Sequence, residues 1–296
     1  MPSTSERLRH IARVATTPRL WREQIEYWRH GPAWSGFPVS PWETNARRAP
    51  ATCNVCGWTG AAFGGIKHSE SQLCPICGSI ARDRYLFWCM QQRVKPAKGL
   101  RVLETSPRMG ADYRNAMAGW FDYTASDFDE SAHIASVRID LQDIALPDAS
   151  IDVVMTPHVL EHVPKTELAL RELHRVIAPG GHLLLQLPIL QGSTAPPTEP
   201  EFHADNTPVF WRFGFDLVDQ LRASGFDTRV LCIDSWRADV AANRVPPGPH
   251  SPEFDVPSMI AGSRIADLDV VATNEQAERL GLYGAYQFVL FHGVRR

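Results

Sequence analysis

No apolar run in this 296-residue chain approaches the roughly 18 residues that a bilayer crossing needs, which argues against a membrane-spanning helix. The opening MPSTSERLRHIARV puts charge where an export signal needs its apolar centre, so a cytoplasmic protein is expected. Dense lysine or arginine runs are missing and the formal net charge is -3, which argues against a surface that coats nucleic acid. Internal repeats are missing too. Of the six cysteines only Cys89 and Cys232 lie outside two CxxC pairs. That pattern suggests metal rather than disulfides, and leaves those two as small buried hydrophobes. What remains, 44% hydrophobic and 21% charged residues, is ordinary for a globular protein. The length suits one large domain with a small satellite.

Residues 1–50 form a section of their own. Arg7, Arg9, Arg13 and Arg19 interleave with Leu8, Ile11, Val14 and Trp21, so one or two amphipathic helices are expected, broken near Thr17-Pro18. Residues 31–50, rich in Gly, Pro and Ser, read as a linker. Then come Cys53-Asn-Val-Cys56 and, after seventeen residues, Cys74-Pro-Ile-Cys77, each pair followed by glycine. Paired thiolates at this spacing describe a zinc ribbon over 51–92 with its following helix, Ser79–Gln92. Four thiolates close a tetrahedral Zn²⁺ shell, so the ion would be structural. Arg82, Asp83 and Arg84 open the helix, either as a solvated or salt-bridged face or as a coupling of the zinc module to the active site.

From Leu100 apolar strands alternate with helices. Strands are expected at 100–104, 123–127, 137–140, 151–155, 182–187, 228–233 and 286–291. Helices are expected at 164–177 (stopped by Ala178-Pro-Gly-Gly181), 215–224 and 274–281. This describes a doubly wound, mostly parallel seven-stranded sheet. Glu104, Asp127 and Asp140 each end a successive strand, where open α/β sheets bind ligands. An acid 23 residues after Glu104 suits a ribose, and a carboxylate suits a cationic ligand. The turn from Thr105 to Gly110 has a single glycine, too few for a phosphate-cradling GxGxxG.

Three stretches now carry a resemblance: Asp140 to Asp152 (DLQDIALPDASID), His158 to His162 (HVLEH) and Leu173 to Gly181 (LHRVIAPGG). With them, residues 100–233 resemble the core of a class I S-adenosylmethionine-dependent methyltransferase, with its Rossmann-like fold. The whole chain is similar to a bacterial group of these enzymes with an N-terminal four-cysteine zinc module. The resemblance implies S-adenosyl-L-methionine as cofactor and a methyltransferase domain over 93–296. By it, Glu104 lies near the methionine moiety, Asp127 takes the ribose hydroxyls, and Asp140 meets the adenine amino group with Leu141 beside the ring. Thr105, Ser106, Gly110, Phe128 and Thr156 complete the expected lining, and His158 lies against the cofactor on the acceptor side. The family at large has glycines where this chain has Ser106 and Arg108.

A methyl acceptor carrying a proton needs a base. His158, His162 and His203 are the candidates; the first two would share a face at i,i+4 if 158–163 were helical. That spacing lacks a third metal ligand. An insertion at about 237–285, rich in proline, is expected to cover the acceptor pocket or to mediate a homodimer together with the 1–50 arm. The leading expectation is transfer to a small molecule, such as a sugar or natural-product hydroxyl or amine. The alternatives are an RNA methyltransferase gripping its substrate through the zinc ribbon, disfavoured by the charge, and a cofactor-binding scaffold without catalysis.

Overall fold

The computed structural model describes residues 51–60, 74–95, 97–129, 135–189, 192–203, 206–234, 237–238, 242, 265–268, 274–282 and 289–296. The expected arm and linker at 1–50 lie outside the described residues. Two compact units result, and the first comprises, among the described residues, 51–60, 74–87 and 109–116. It opens with a hairpin, β1 (Ala51–Thr52) antiparallel to β2 (Thr59–Gly60). Helix α1 (Ala81–Arg93) follows the second CxxC pair and begins here. Of its opening charges Asp83 and Arg84 are buried and Arg82 is half-buried. The Asp83 carboxylate accepts the Ile80 amide at 3.0 Å, and Arg84, fully buried, donates Nη1 to the Ser79 carbonyl at 2.6 Å. The Asn54 side-chain amide donates to the Arg84 carbonyl at 2.9 Å, tying the first cysteine pair to the helix.

The second unit holds the sheet. Its strands are β3 (Arg101–Thr105), β4 (Asp122–Asp127), β5 (Val137–Arg138), β6 (Ile151–Pro157), β7 (Ile177–Gln186), β10 (Phe226–Ile233), β11 (Ile265–Leu268) and β12 (Val289–Arg295). A small hairpin, β8 (Glu201–Phe202) with β9 (Pro208–Val209), stands apart from it. The order across the sheet is β11-β10-β12-β7-β6-β3-β4-β5, parallel from β5 to β7, with β12 antiparallel to both its neighbours. Seven strands make the expected mostly parallel, Rossmann-like sheet. The insertion adds an eighth at the edge, where β11 runs antiparallel to β10. Between β3 and β4 the chain forms α2 (Ala111–Trp120), a helix that the apolar spacing did not single out.

Helix α3 (Thr166–Val176) buries Ala169, Leu170, Leu173 and Val176, whereas Leu168 is half-buried. The segment Ala178–Gly181 does not separate helix from strand. β7 starts at once with Ile177, paired to Ile151, and the next partners are His182 and Val153. The four residues between are a bulge in the strand. Gly180 takes φ +77°, and a Cβ on Gly181 would come within 2.7 Å of the Asp152 carbonyl. Helices α4 (Leu217–Ala223) and α5 (Asn274–Arg279) fall where periodicity places them, and β12 ends at Arg295, four residues later than expected. Among the described residues no helix is long and apolar enough to cross a membrane.

Two histidines of the sheet touch. His182 Nδ1 and His292 Nε2 lie 2.9 Å apart on neighbouring strands β7 and β12, so one ring donates and the other accepts. Burial lowers both; His292 is pushed down to about 3, with His182 and Arg93 adding repulsion. Unfolded histidine titrates near 6.5, so below that pH the unfolded chain binds more protons. Stability is expected to fall as pH drops from about 6.5 toward 3, by about 1.4 kcal/mol per pH unit for each histidine held neutral. Urea denaturation across this range should show that slope, and His292→Gln should flatten it; an equal slope in the variant would assign the acid sensitivity elsewhere.

Candidate cofactor and acceptor site

Parallel pairing brings the carboxyl ends of β4, β3, β6 and β7 side by side. Register sets Glu104 opposite Met155 and Thr105 opposite Ser126, so the next step along β3 and β6 places Thr105 beside Thr156. Both threonine hydroxyls are buried and have no hydrogen-bond partner among the described residues. Buried hydroxyls are normally satisfied. Two at one strand edge, with carboxylates around them, fit a polar ligand laid across the strand ends.

Beyond Thr105 the chain turns through Ser106, whose φ of +50° is left-handed, a region that costs a residue with a Cβ roughly 1 kcal/mol. Its amide donates to the Ser126 carbonyl at 2.7 Å and its hydroxyl to Asp127 Oδ2 at 2.8 Å. The second oxygen of Asp127 accepts the Asp129 amide at 3.1 Å. The glycine position of the resembled family thus carries a serine that orients the ribose-candidate carboxylate. Glu104 is buried and accepts the Tyr123 hydroxyl at 2.8 Å. Phe128 is 60% exposed, with the Arg138 guanidinium 5.4 Å from its ring centroid. Asp140 accepts the Gln142 amide at 2.8 Å in a tight local turn, and Leu141 is buried beside it. The loop after this turn is held by Arg175, which donates to the carbonyls of Ile144 (2.7 Å) and Leu146 (2.8 Å) and to Asp148 and Glu172. Gly110 belongs to the first unit; its amide faces the Cys77 carbonyl at 3.4 Å, and a Cβ added there would meet nothing within 4 Å.

The histidines assemble differently from an i,i+4 helical pair. His158 takes φ +52° at the end of β6, its amide bonded to the Gln186 carbonyl at 2.6 Å. Only then does a single 3-10 turn, Leu160–His162, begin. Glu161, which the sequence reading passed over, is buried between them: Oε1 lies 3.6 Å from His158 Nδ1 and 3.9 Å from His162 Nε2. The signal was present as an acid three residues after one histidine and adjacent to the other. His162 Nδ1 contacts the Pro208 carbonyl at 2.7 Å, and His203 packs edge-on against the His162 ring with centroids 4.6 Å apart. The hairpin β8–β9 is fastened here, for the amides of Phe210 and Trp211 both donate to the Glu161 carbonyl.

In the first unit the four cysteines converge, all four Sγ lying within 4.8 Å of one another. Among the described residues no other histidine, cysteine or acid grouping does so. Cys53 and Cys77 sulfurs are 3.7 Å apart and Cys56 and Cys74 sulfurs 3.6 Å. A tetrahedral ion with Zn–S bonds of about 2.3 Å sets sulfurs about 3.8 Å apart, and a disulfide would need about 2 Å. The two knuckles repeat each other. Gly57 and Gly78, at φ +77° and +72°, donate to the Cys53 and Cys74 carbonyls, while the Cys53 and Cys74 amides donate to Trp58 and Ser79. Burial pushes the Cys56 thiol up to about 11, and the neighbouring Cys53 and Cys74 sulfurs push Cys77 far higher. Four thiolates in such contact call for a cation between them, and the donor set fits Zn²⁺. Cys232 is buried, which pushes its thiol up to about 12 and makes it inert; Cys89 is likewise buried.

The Ser106 geometry separates two contributions of similar size. Ser106→Ala keeps the left-handed backbone and loses the bond to Asp127, and is expected to destabilise the fold by about 1 kcal/mol. Ser106→Gly loses the same bond but relieves the backbone, and should come out near neutral. Melting temperatures of the two variants check the order; Ala equal to Gly would remove the backbone contribution.

A solved S-adenosylmethionine-dependent methyltransferase from Mesorhizobium loti is similar at 18% identity, covering 71% of this chain and 98% of that one with a TM-score of 0.43. A solved Burkholderia thailandensis 1,6-didemethyltoxoflavin-N1-methyltransferase, with 1,6-didemethyltoxoflavin and S-adenosylhomocysteine bound, is similar at 13% identity. There the match covers 73% of this chain and 78% of that one, with a TM-score of 0.40. No curated protein sequence matches the chain. Residues 102–185, which run from β3 to near the end of β7, match the family model for a methyltransferase domain.

Proposed function

We propose that the protein is an S-adenosylmethionine-dependent methyltransferase acting in the cytoplasm on a small-molecule acceptor, at a hydroxyl or amine that must lose a proton. The observation that carries this reading is the edge of β4, β3 and β6, where Asp127 stands beside the buried hydroxyls of Thr105 and Thr156, which have no hydrogen-bond partner among the described residues. The match of residues 102–185 to a methyltransferase domain supports it. The bound cofactor would supply a methyl group on a cationic sulfur, open to in-line displacement. Asp127, oriented by Ser106 and the Asp129 amide, would accept the ribose hydroxyls. Asp140 and Leu141 would hold the adenine, while Glu104, Thr105 and Thr156 would line the methionine end. His158 at the end of β6 would take the acceptor's proton, and positioning of the two substrates would supply much of the rate. The net charge of -3 favours a small acceptor over RNA.

The four-cysteine module is proposed to hold one structural Zn²⁺. Elemental analysis of the full chain should find about one zinc per protein. Cys74→Ser should lower both the metal content and the melting temperature. A zinc content far below one in protein purified without chelator would count against it.

Calorimetry with S-adenosylhomocysteine tests the cofactor site. The protein should bind it, and Asp127→Ala should weaken binding at least tenfold, since hydrogen bonds to a carboxylate contribute about 1.5–3 kcal/mol. Undiminished affinity would remove Asp127 from the site, and absence of binding by the unaltered protein would sink the reading as a whole.

A further inference from the structure

The loop that carries the adenine candidates Asp140 and Leu141 is bonded along its length to one helix. Asp140 Oδ1 accepts the Gln142 amide at 2.8 Å and the Gln142 side-chain Nε2 at 3.2 Å. Nε2 also lies 3.4 Å from Oδ2, and Gln142 Oε1 accepts the Lys165 amide at 3.2 Å, where α3 begins. Near the other end of α3, Glu172 and Arg175 meet in a two-bond fork, Nε to Oε1 at 2.9 Å and Nη2 to Oε2 at 2.7 Å. Together they take both main-chain groups of Ile144. Glu172 Oε2 accepts its amide at 2.9 Å, and Arg175 Nη2 donates to its carbonyl at 2.7 Å.

A guanidinium has five N–H donors in one plane, and Arg175 uses all of them. Two go to Glu172, one each to the carbonyls of Ile144 and Leu146, and the last to Asp148. The Asp148 side chain is 76% exposed, so that pair adds little and the carbonyl bonds hold the loop. The Arg175 guanidinium keeps the Glu172 carboxyl below the usual carboxylate range, so both partners stay ionised at neutral pH. The Arg175 carbonyl accepts the Ala149 amide at 2.9 Å and Arg295 Nη1 at 3.0 Å, which fixes the backbone of the donor itself. Leu141 and Ile144 share an apolar cluster with Leu170 and Leu173 of α3. Apolar burial is non-directional: it sets how deep the loop lies and leaves it able to slide. The directional bonds at both ends of α3 stop the slide, and the edge they hold is Asp140–Leu141.

We infer that Glu172 and Arg175 are positioning residues of the adenine subsite: they set the angle at which Asp140 and Leu141 meet the base, and so make the site select adenine over a purine with a carbonyl in place of the amino group. This deepens the methyltransferase reading above and rests on it. Both residues act through the loop, without contact to the ligand. The two Asp140 oxygens offer about four acceptor sites, and the bonds from Gln142 leave Oδ2 able to accept an amino N–H. A carbonyl oxygen at that place would face the carboxylate with no proton between them. The 6-oxo analogue therefore loses a bond and gains repulsion. Arg175→Lys offers three donors on a flexible stem, which cannot span the fork and both carbonyls.

Calorimetry of the full chain with S-adenosylhomocysteine and with S-inosylhomocysteine, its 6-oxo analogue, reads the preference as a ratio of affinities. The unaltered protein should prefer the adenosine compound by about tenfold or more, the worth of a hydrogen bond to a carboxylate. Arg175→Lys should cut that ratio by about threefold or more. Asp127→Ala, at the ribose, should weaken both compounds alike and keep the ratio. General loosening of the fold would also weaken both alike, so the ratio separates positioning from stability. A folded Arg175→Lys that keeps the ratio overturns the inference and leaves the methyltransferase reading standing. Should Arg175→Lys fail to fold, Glu172→Gln carries the test, because it spares the bonds from Arg175 to the two carbonyls. Its ratio should fall, and an unchanged ratio overturns the inference equally. An unaltered protein that binds both compounds equally overturns it too, whereas one that binds neither sinks the methyltransferase reading and this inference with it.

Discussion

The register between β3 and β6 is the constraint on which the site depends. Asp152 accepts the backbone amide of Arg101 at 2.9 Å and clasps its guanidinium through both oxygens, at 2.9 and 2.6 Å. The same guanidinium holds the Asp152 carboxyl below the usual carboxylate range. This three-point grip lies at the entry of both strands and sets Val102 against Val153. Side chains alternate along a strand, so a slip of one residue would turn every inward group outward. Four residues later the same register delivers Thr105 and Thr156 to one edge. An exposed ion pair contributes little by itself; here its backbone bond ties it to alignment.

Much of this was legible in the chain, for reasons that differ by feature. The cysteine pairs were readable because tetrahedral thiolate chemistry permits few spacings, and the glycine after each is demanded by a left-handed turn. Glu104 and Asp127 were readable because a strand end is marked by where apolar residues stop. Helix α2 was harder. Tyr113 and Met117 bury one face, yet apart from the exposed Trp120 its other residues are small or polar and carry little amphipathic contrast. Pro179 and the two glycines after it suggested a turn, and the chain uses them for a bulge, since β7 finds its partner at Ile151 before they occur. Glu161 was missed because its meaning lies in burial. The 3-10 turn and the hairpin cover it, and local spacing is blind to both.

The two units solve small-scale ordering in unlike ways. The sheet orders itself by area, with Leu103, Val154, Leu183 and Leu185 forming part of one apolar cluster under α3. The cysteine module adds to its buried Val55, Ile80, Tyr85, Leu86 and Phe87 a fourfold convergence of sulfur, Arg84 reaching Ser79, and Asp83 closing the helix start. A buried arginine bonded to a carbonyl makes sense beside such a knuckle. It braces the turn that aims amides at sulfur without spending a hydrophobic residue.

Four residues other than glycine have positive φ among the described ones, and two of them, Ser106 and His158, follow the neighbouring strands β3 and β6. Left-handed backbone is where glycine is sterically cheapest, so each side chain is kept there at a cost to the folded state. That has an evolutionary reading. A lineage selected for heat resistance alone would drift toward glycine or asparagine at these two places before it altered the core. Retention of serine and histidine in a descendant would then mark selection on chemistry, and their replacement would mark a protein that keeps the shape while abandoning the reaction.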